Sequence, residues 1–416
     1  MLKYIFLIIL FSNSLEQSNV YMTKNITSSN IVNLFKHLNI TLGEKIGLKV
    51  HSGEQGGIYF LTPDFLEEIY NYTKGTFIEC NAAYEGQRHT TELHKKLLIT
   101  HGWTNKSRRF EIMDADPSND WNLTIDNPVM ISENIVGEKL KNFDSCIVLS
   151  HLKGHSMGGF GGALKQLSIG FASQKGKTWI HTAGTITDWE RMDDFLANQE
   201  NFTAAMGDAA ASIVQYFRAK KGIAFINVIA NISILCDCAG GFAPEPKIND
   251  IGILASTDPI AIDRASIDLI KNTTDIGTEE WLNQLESLKG ENTIKVAESH
   301  GIGTQNYKLI LVNDDDDEGE GEEEEREKEE EEEKEEEEKE EEEEKKEEEG
   351  EKEKEKEKEK EKEEEGKESK STLIIVVLST VAGVSILISI LVFCIMRPRN
   401  TTKYQEDFHL TQKMNQ

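Results

Sequence analysis

Two histidines, two lysines and a run of glycines fall within one short stretch, Ser150-His151-Leu152-Lys153-Gly154-His155-Ser156-Met157-Gly158-Gly159-Phe160-Gly161-Gly162-Ala163-Leu164-Lys165. Glycines such as Gly159 and Gly161 let backbone N–H groups approach an anion closely. A helix that begins after them adds positive potential at its amino end. Lys153 and Lys165 would complete a phosphate or carboxylate site. His151 and His155, four apart, could instead ligate a metal, and a glycine-rich turn with incidental polar groups is the plain alternative. The stretch lacks the Gly-Lys-Ser/Thr ending of a nucleotide-binding P-loop.

Three other loops carry chemistry. His51 and Glu54, in His51-Ser52-Gly53-Glu54, could move a proton. Arg88 and His89 end the segment that starts at Asn81. Cys236-Asp237-Cys238 offers two soft thiolates and one hard carboxylate. With His151 or His155 these could hold zinc or iron. A lone Cys-X-Cys is a weak zinc signal, and two buried structural cysteines are as good a reading. Cysteines this close seldom close a relaxed disulfide with each other. Pairing with Cys80 or Cys146 is a further option. Asp258, before Pro259, reads as a helix cap. Asp263 could face the same cleft, but a solvated face is the plainer expectation.

The elements that must position these loops alternate. Strands are expected over Lys45–Val50, Thr76–Cys80, Ser145–Ser150, Ile223–Leu235, Ile251–Ser256 and Tyr307–Val312. Helices are expected from Thr62-Pro63 to Tyr72, over Thr91–His101 and Phe202–Lys220, from Pro259 to Asn272, and near Thr278–Leu288 and Thr293–His300. Capping Thr and Asp, first-turn Pro and closing Gly mark their ends. Strand alternating with helix implies an α/β fold, a largely parallel sheet with helices on both faces. Sites in such sheets gather at the carboxyl ends of strands, and all four loops follow predicted strands.

In this order the loops resemble the domain of unknown function 362 family. The resemblance rests on Lys49-Val-His-Ser-Gly-Glu54, Gly86-Gln-Arg-His89, Ser150-His-Leu-Lys-Gly-His155, Gly159-Phe-Gly-Gly-Ala-Leu-Lys165, Cys236-Asp-Cys238 and Asp250-Ile-Gly-Ile-Leu-Ala-Ser-Thr-Asp-Pro259. It covers nearly all of residues 42–312. It implies that His51, Glu54, Arg88, His89, His151, Lys153, His155, Lys165, Cys236, Asp237, Cys238 and Asp258 occupy motif positions. Many members carry a ferredoxin-like insert with iron–sulfur motifs, which would fall between about Lys177 and Phe225. No cysteine lies between Cys146 and Cys236, so this chain resembles the insert-free form and no iron–sulfur cluster is expected.

Charge separates this block from the rest of the chain. Asp314 to Lys370 holds 38 acidic and 14 basic residues, so −24 of the formal −29 sits there. No basic stripe points to nucleic acid. The acidic run reads as a stalk, helical or extended. It leads into the uncharged Leu373–Met396, 24 residues, long enough to span a bilayer. Residues 1–14 read as a signal peptide, 15–313 as the globular ectodomain and 397–416 as a cytoplasmic tail. Eight Asn-X-Ser/Thr acceptors precede the apolar run. The expectation is a single-pass membrane protein whose ectodomain faces the exterior or a lumen. It would be a metal-dependent or anion-binding, enzyme-like protein for a small molecule, or else a surface interaction and adhesion module with a remnant site.

Overall fold

A computed structural model describes residues 17–104 and 108–313. The chain divides into two units, Met1–Gly319 and Glu320–Gln416, and every described residue belongs to the first. The expected signal peptide, acidic stalk, membrane span and tail lie outside the described residues. Among those described, no helix is long and apolar enough to cross a membrane.

The strands are β1 (Ser18–Thr23), β2 (Ile46–Lys49), β3 (Thr76–Glu79), β4 (Phe110–Ile112), β5 (Trp121–Thr124), β6 (Glu133–Val136), β7 (Ser145–His151), β8 (Lys153–His155), β9 (Gly159–Gly161), β10 (Ile223–Ile229), β11 (Gly252–Ser256) and β12 (Tyr307–Leu311). The helices are α1 (Ser28–His37), α2 (Glu67–Thr73), α3 (Thr91–Thr100), α4 (Ala163–Lys165), α5 (Gln174–His181), α6 (Gln199–Arg218), α7 (Pro259–Lys271), α8 (Thr278–Ser287) and α9 (Gly290–Ser299).

Eight strands form one sheet in the order β12-β1-β11-β10-β7-β2-β3-β4. From β10 through β7, β2 and β3 to β4 every neighbour is parallel. The expectation of a mostly parallel α/β sheet therefore holds. The exception is β11, antiparallel to both β10 and β1. A parallel crossover needs room for a helix, whereas the connection from β10 to β11 carries only the short 3₁₀ turn Asp237–Phe242.

Alternation along the central strands assigns the two faces. Ile147 and Leu149 of β7, with Ala224 and Ile226 of β10, pack with Ile31, Leu34, Ile69 and Leu98 from α1, α2 and α3. Val148 and Phe225 point the other way, against Leu164, Leu167, Ile213, Phe217 and Ile260. Each of the larger of these side chains, taken wholly out of water, stabilises the fold by roughly 1.5–3 kcal/mol. The long α6 is rich in alanine, which lets it lie close to α9. A Cβ on Gly207 would sit 2.7 Å from the Val296 side chain.

Helix starts follow local chemistry. Asp258 caps α7, its Oδ1 accepting the N–H groups of Ile260 and Ala261 at 2.8 and 2.9 Å, with Pro259 next in line. The sequence pattern placed the start of α2 at Pro63. Residues 63–66 instead form turns, and the regular helix begins at Glu67.

Candidate functional site

The carboxyl ends of β2, β3, β7 and β10 converge on a cavity of about 400 Å³. That size suits a small molecule. His51 comes from the β2 loop and Arg88 from the loop after β3. His155 and Lys165 follow β7, and Cys236 and Cys238 follow β10. The β2 and β10 loops meet backbone to backbone. Gly241 N–H donates to Gln55 O at 3.2 Å, and Gly240, with φ +55°, is so close that a Cβ would lie 2.5 Å from Gln55 O.

Glu79 is the carboxylate at the cavity wall, and it is fully occupied. It accepts from Arg88 Nη1 at 2.7 Å, His94 Nε2 at 3.2 Å and the Ser52 N–H at 3.1 Å. Burial alone would raise its pKa. The Arg88 guanidinium and the His94 hydrogen bond outweigh burial and hold the carboxyl well below its usual range. Arg88 also donates to the Tyr84 hydroxyl at 2.5 Å. Glu54 does not line the cavity. It sits behind Arg88, accepting from Tyr84 Oη at 3.2 Å and the Gln87 N–H at 2.9 Å. Its place is to steady Arg88 and Tyr84, where sequence reasoning made it a proton carrier. His89 is likewise outside the cavity. Its Nδ1 lies 2.9 Å from Gly86 O and its ring packs on Trp189.

The histidines at the cavity wall carry their protons differently. Nδ1 of His155 accepts the backbone N–H groups of Gly158 (2.8 Å) and Met157 (3.2 Å), so Nε2 bears the hydrogen. His51 is similar, its Nδ1 accepting the Gly53 N–H at 3.1 Å. In His181 the assignment is reversed: Nδ1 lies 2.7 Å from Lys177 O, a carbonyl, so Nε2 keeps a bare lone pair. Burial holds all three imidazoles neutral, with neighbouring cations adding to it at His51 and His155. His181 is lowered to about 4, and His51 and His155 fall well below the ordinary value.

The lysines divide as sharply. Lys153 is ion-paired with Asp237 and does not line the cavity. Lys177 lines it, donating to Ala172 O at 2.6 Å, with no carboxylate partner among the described residues. Lys165 also lines it and is 6% exposed. No acceptor for its Nζ is present among the described residues. Burial, and then the charges of Lys153 and Arg88, push its amine well below the usual lysine range.

Several expectations need correction. Cys236 and Cys238 are joined to each other in a disulfide, although so short a spacing argued against it. The 3₁₀ turn that begins at Asp237 folds the chain back and holds the two Cα atoms 5.2 Å apart, within bridging range. Cys80 and Cys146 are both free and buried. Donor atoms of His155, Cys236 and Cys238 lie within 4.8 Å of one another. Two bonded sulfurs offer no thiolate, however, and His155 presents N–H, so this state does not fit a zinc or iron ion. Both ring nitrogens of His151 are engaged inside the protein, and the residue does not line the cavity. Its Nδ1 faces Asp237 Oδ1 at 2.9 Å and its Nε2 faces Ala230 O at 2.7 Å. Asp237 is consumed by His151 and Lys153, which hold its carboxyl well below the ordinary range against the effect of burial.

The glycine stretch is a β-hairpin, β8 against β9, and not an anion cradle. Gly159 permits close packing, since a Cβ there would lie 3.1 Å from Gly290 Cα. Gly161 lies opposite Lys153 in the ladder. The amino end of the following helix is filled from inside the protein. Asp263, fully buried where a solvated face was expected, accepts the Ala163 and Leu164 N–H groups at 2.8 and 2.9 Å.

The family model described as "Domain of unknown function (DUF362)" matches residues 46–268, more than half of the chain. The chain belongs to this family. The DUF362 match spans all four site loops. No curated protein matches significantly. Among solved structures, the chain is similar to the lactate racemase apoprotein of Thermoanaerobacterium thermosaccharolyticum at 12% identity and a TM-score of 0.38, covering 61% of this chain and 58% of that one. It is also similar to a structural-genomics protein of Thermotoga maritima at 14% identity and a TM-score of 0.33, covering 65% and 58%. The chain thus spans less than two thirds of either relative.

Sequence reasoning missed Lys177, His181 and Gln166. Lys177 and His181 are four apart on α5, a spacing that puts both on one helix face and could have flagged them. Gln166 opens a π-helical turn, Gln166–Gly170, which turns Gln166, Ile169 and Gly170 toward the cavity.

Proposed function

We propose that this cavity binds a small molecule carrying a carboxylate and that the protein is an enzyme acting on it. One observation carries the reading: Arg88, Lys165 and Lys177 line the cavity, while its carboxylate, Glu79, is already consumed by Arg88 and His94. An incoming anion would meet the spare N–H groups of Lys177 and Arg88 in a low-dielectric setting, where charge-assisted bonds are strong. Ala82, Ala83, Ile169 and Leu235 supply apolar walls for the remainder of the ligand. A zinc- or iron-dependent version has less support while the Cys236–Cys238 disulfide is closed.

The proposal includes presentation of the domain outside a membrane, on the acidic stalk and apolar run of the sequence. It draws support from the acceptor asparagines, of which Asn25, Asn39, Asn71, Asn122, Asn231 and Asn272 are exposed. Protease treatment of intact cells expressing the full chain should release residues up to the stalk.

The binding test uses malonate as an unreactive carboxylate probe. Malonate at 100 times its Kd should stabilise the protein by about 2.7 kcal/mol. Lys177→Met should abolish that gain. If no carboxylate raises Tm, the proposal fails.

A further inference from the structure

We infer that Lys165 is a nucleophilic amine and that the cavity's carboxylate ligand is a 2-oxo acid, with which Lys165 condenses to an imine. The inference rests on the anion-binding reading above and adds the reacting group and the substrate class.

Comparison among the buried lysines carries the argument. Lys49 donates to Val50 O at 2.6 Å and to Gln166 Oε1 at 2.9 Å. Lys153 is paired with Asp237, and Lys177 donates to Ala172 O. A lysine buried for structural reasons finds acceptors in this way, because an unmet donor is costly. Lys165 stands apart. It is buried, it borders the cavity, and its Nζ has no acceptor among the described residues. Burial and nearby cations push its amine well below the usual lysine range, the direction in which a nucleophilic lysine must be shifted.

The surroundings match the chemistry of condensation. Lys177 and Arg88 would hold the carboxylate, placing the adjacent C2 carbonyl toward Lys165. Nζ attacks C2, and the π pair of C=O moves to oxygen. The two amine hydrogens leave with that oxygen as water, and C=N replaces C=O. No oxidant or reductant is consumed. His181 Nε2, an acceptor, can relay the protons from nitrogen to oxygen. His155 Nε2–H can steady the oxygen as charge develops.

The test incubates the full-length protein with pyruvate or 2-oxoglutarate and sodium cyanoborohydride, then maps lysine adducts by mass spectrometry. The expected result is a reduced adduct on Lys165, on the order of tenfold above any surface lysine, suppressed by malonate and lost in Lys165→Arg. Even labelling over many lysines, or none on Lys165 with either acid, overturns the inference. Malonate binding without an adduct sinks imine chemistry and leaves anion binding standing. A Lys165 adduct without malonate binding does the reverse. If Lys165→Arg does not fold, the wild-type label map decides alone.

Discussion

The Asp263 carboxylate on α7 accepts the Leu164 backbone N–H at 2.9 Å, closing the helix end that follows the glycine hairpin. Oδ1 serves Ala163 at 2.8 Å and takes a further bond from Asn227 Nδ2 at 2.8 Å. A terminus so filled has no vacancy for a ligand anion, so the cavity must draw its positive character from side chains.

Asp263→Asn tests this directly. An amide would turn an N–H₂ group toward a backbone N–H and lose the charge-assisted bonds. The variant should lose about 2–3 kcal/mol in chemical denaturation. Malonate affinity should change little, since Asp263 does not line the cavity. A large loss of binding in folded Asp263→Asn would place the anion at the helix end after all.

The fold was legible where signals are local. Asp258-Pro259 announces α7, and the ends of β2, β7 and β11 fall within a residue or two of their patterns. It was less legible where pairing is distant. The antiparallel seat of β11 beside β1 joins residues more than 200 positions apart, as at Tyr21 and Ala255. The site motifs lay at the right strand ends, yet residue types could not tell Lys165 from Lys153. One faces the cavity and the other meets Asp237, and that distinction is set by tertiary packing.

Acid should destabilise the protein well before general acid denaturation. His181 falls to about 4 in the fold and lies near 6.5 when unfolded. Between those values the unfolded chain binds the proton and the native chain does not, so stability drops as pH falls from about 6.5 to 4, by about 3 kcal/mol. His51 and His155 act in the same direction. Asp263 opposes them, because burial raises its carboxyl to about 6 and the native state then takes up a proton first. Asp120, which burial also raises to about 6, opposes them too, and the three imidazoles outweigh these two carboxyls. Denaturant midpoints at pH 7.5 and 4.5 measure the drop, and His181→Leu should flatten it. A midpoint independent of pH would contradict the buried neutral histidines.

Gly154 fixes the hairpin against the cysteine loop. Its N–H donates to Ser233 O at 2.8 Å, and a Cβ would lie 2.0 Å from Ile234 O. Backbone cannot yield as a flexible side chain can, so Gly154→Ala should cost at least about 3 kcal/mol and displace His155 from Cys236. Gly301→Ala is the control. That glycine has φ +68° with nothing within 4 Å of the added atom, so only the left-handed backbone is penalised, by about 1 kcal/mol. Equal losses in the two variants would mean that the hairpin contact is not rigid.

The Cys236–Cys238 bridge decides between metal and anion chemistry. In unreduced protein both cysteines should resist alkylation even after unfolding, whereas Cys80 and Cys146, free and buried, should react once unfolded. Oxidised protein dialysed against zinc should then retain much less than one ion per chain, because neither sulfur is a thiolate. His155→Gln should leave that zinc content unchanged and weaken malonate binding, since the imidazole meets the cavity as an N–H donor. Stoichiometric zinc that depends on His155, together with alkylation of both cysteines in the purified protein, would restore the thiolate site and remove the bridge from the account.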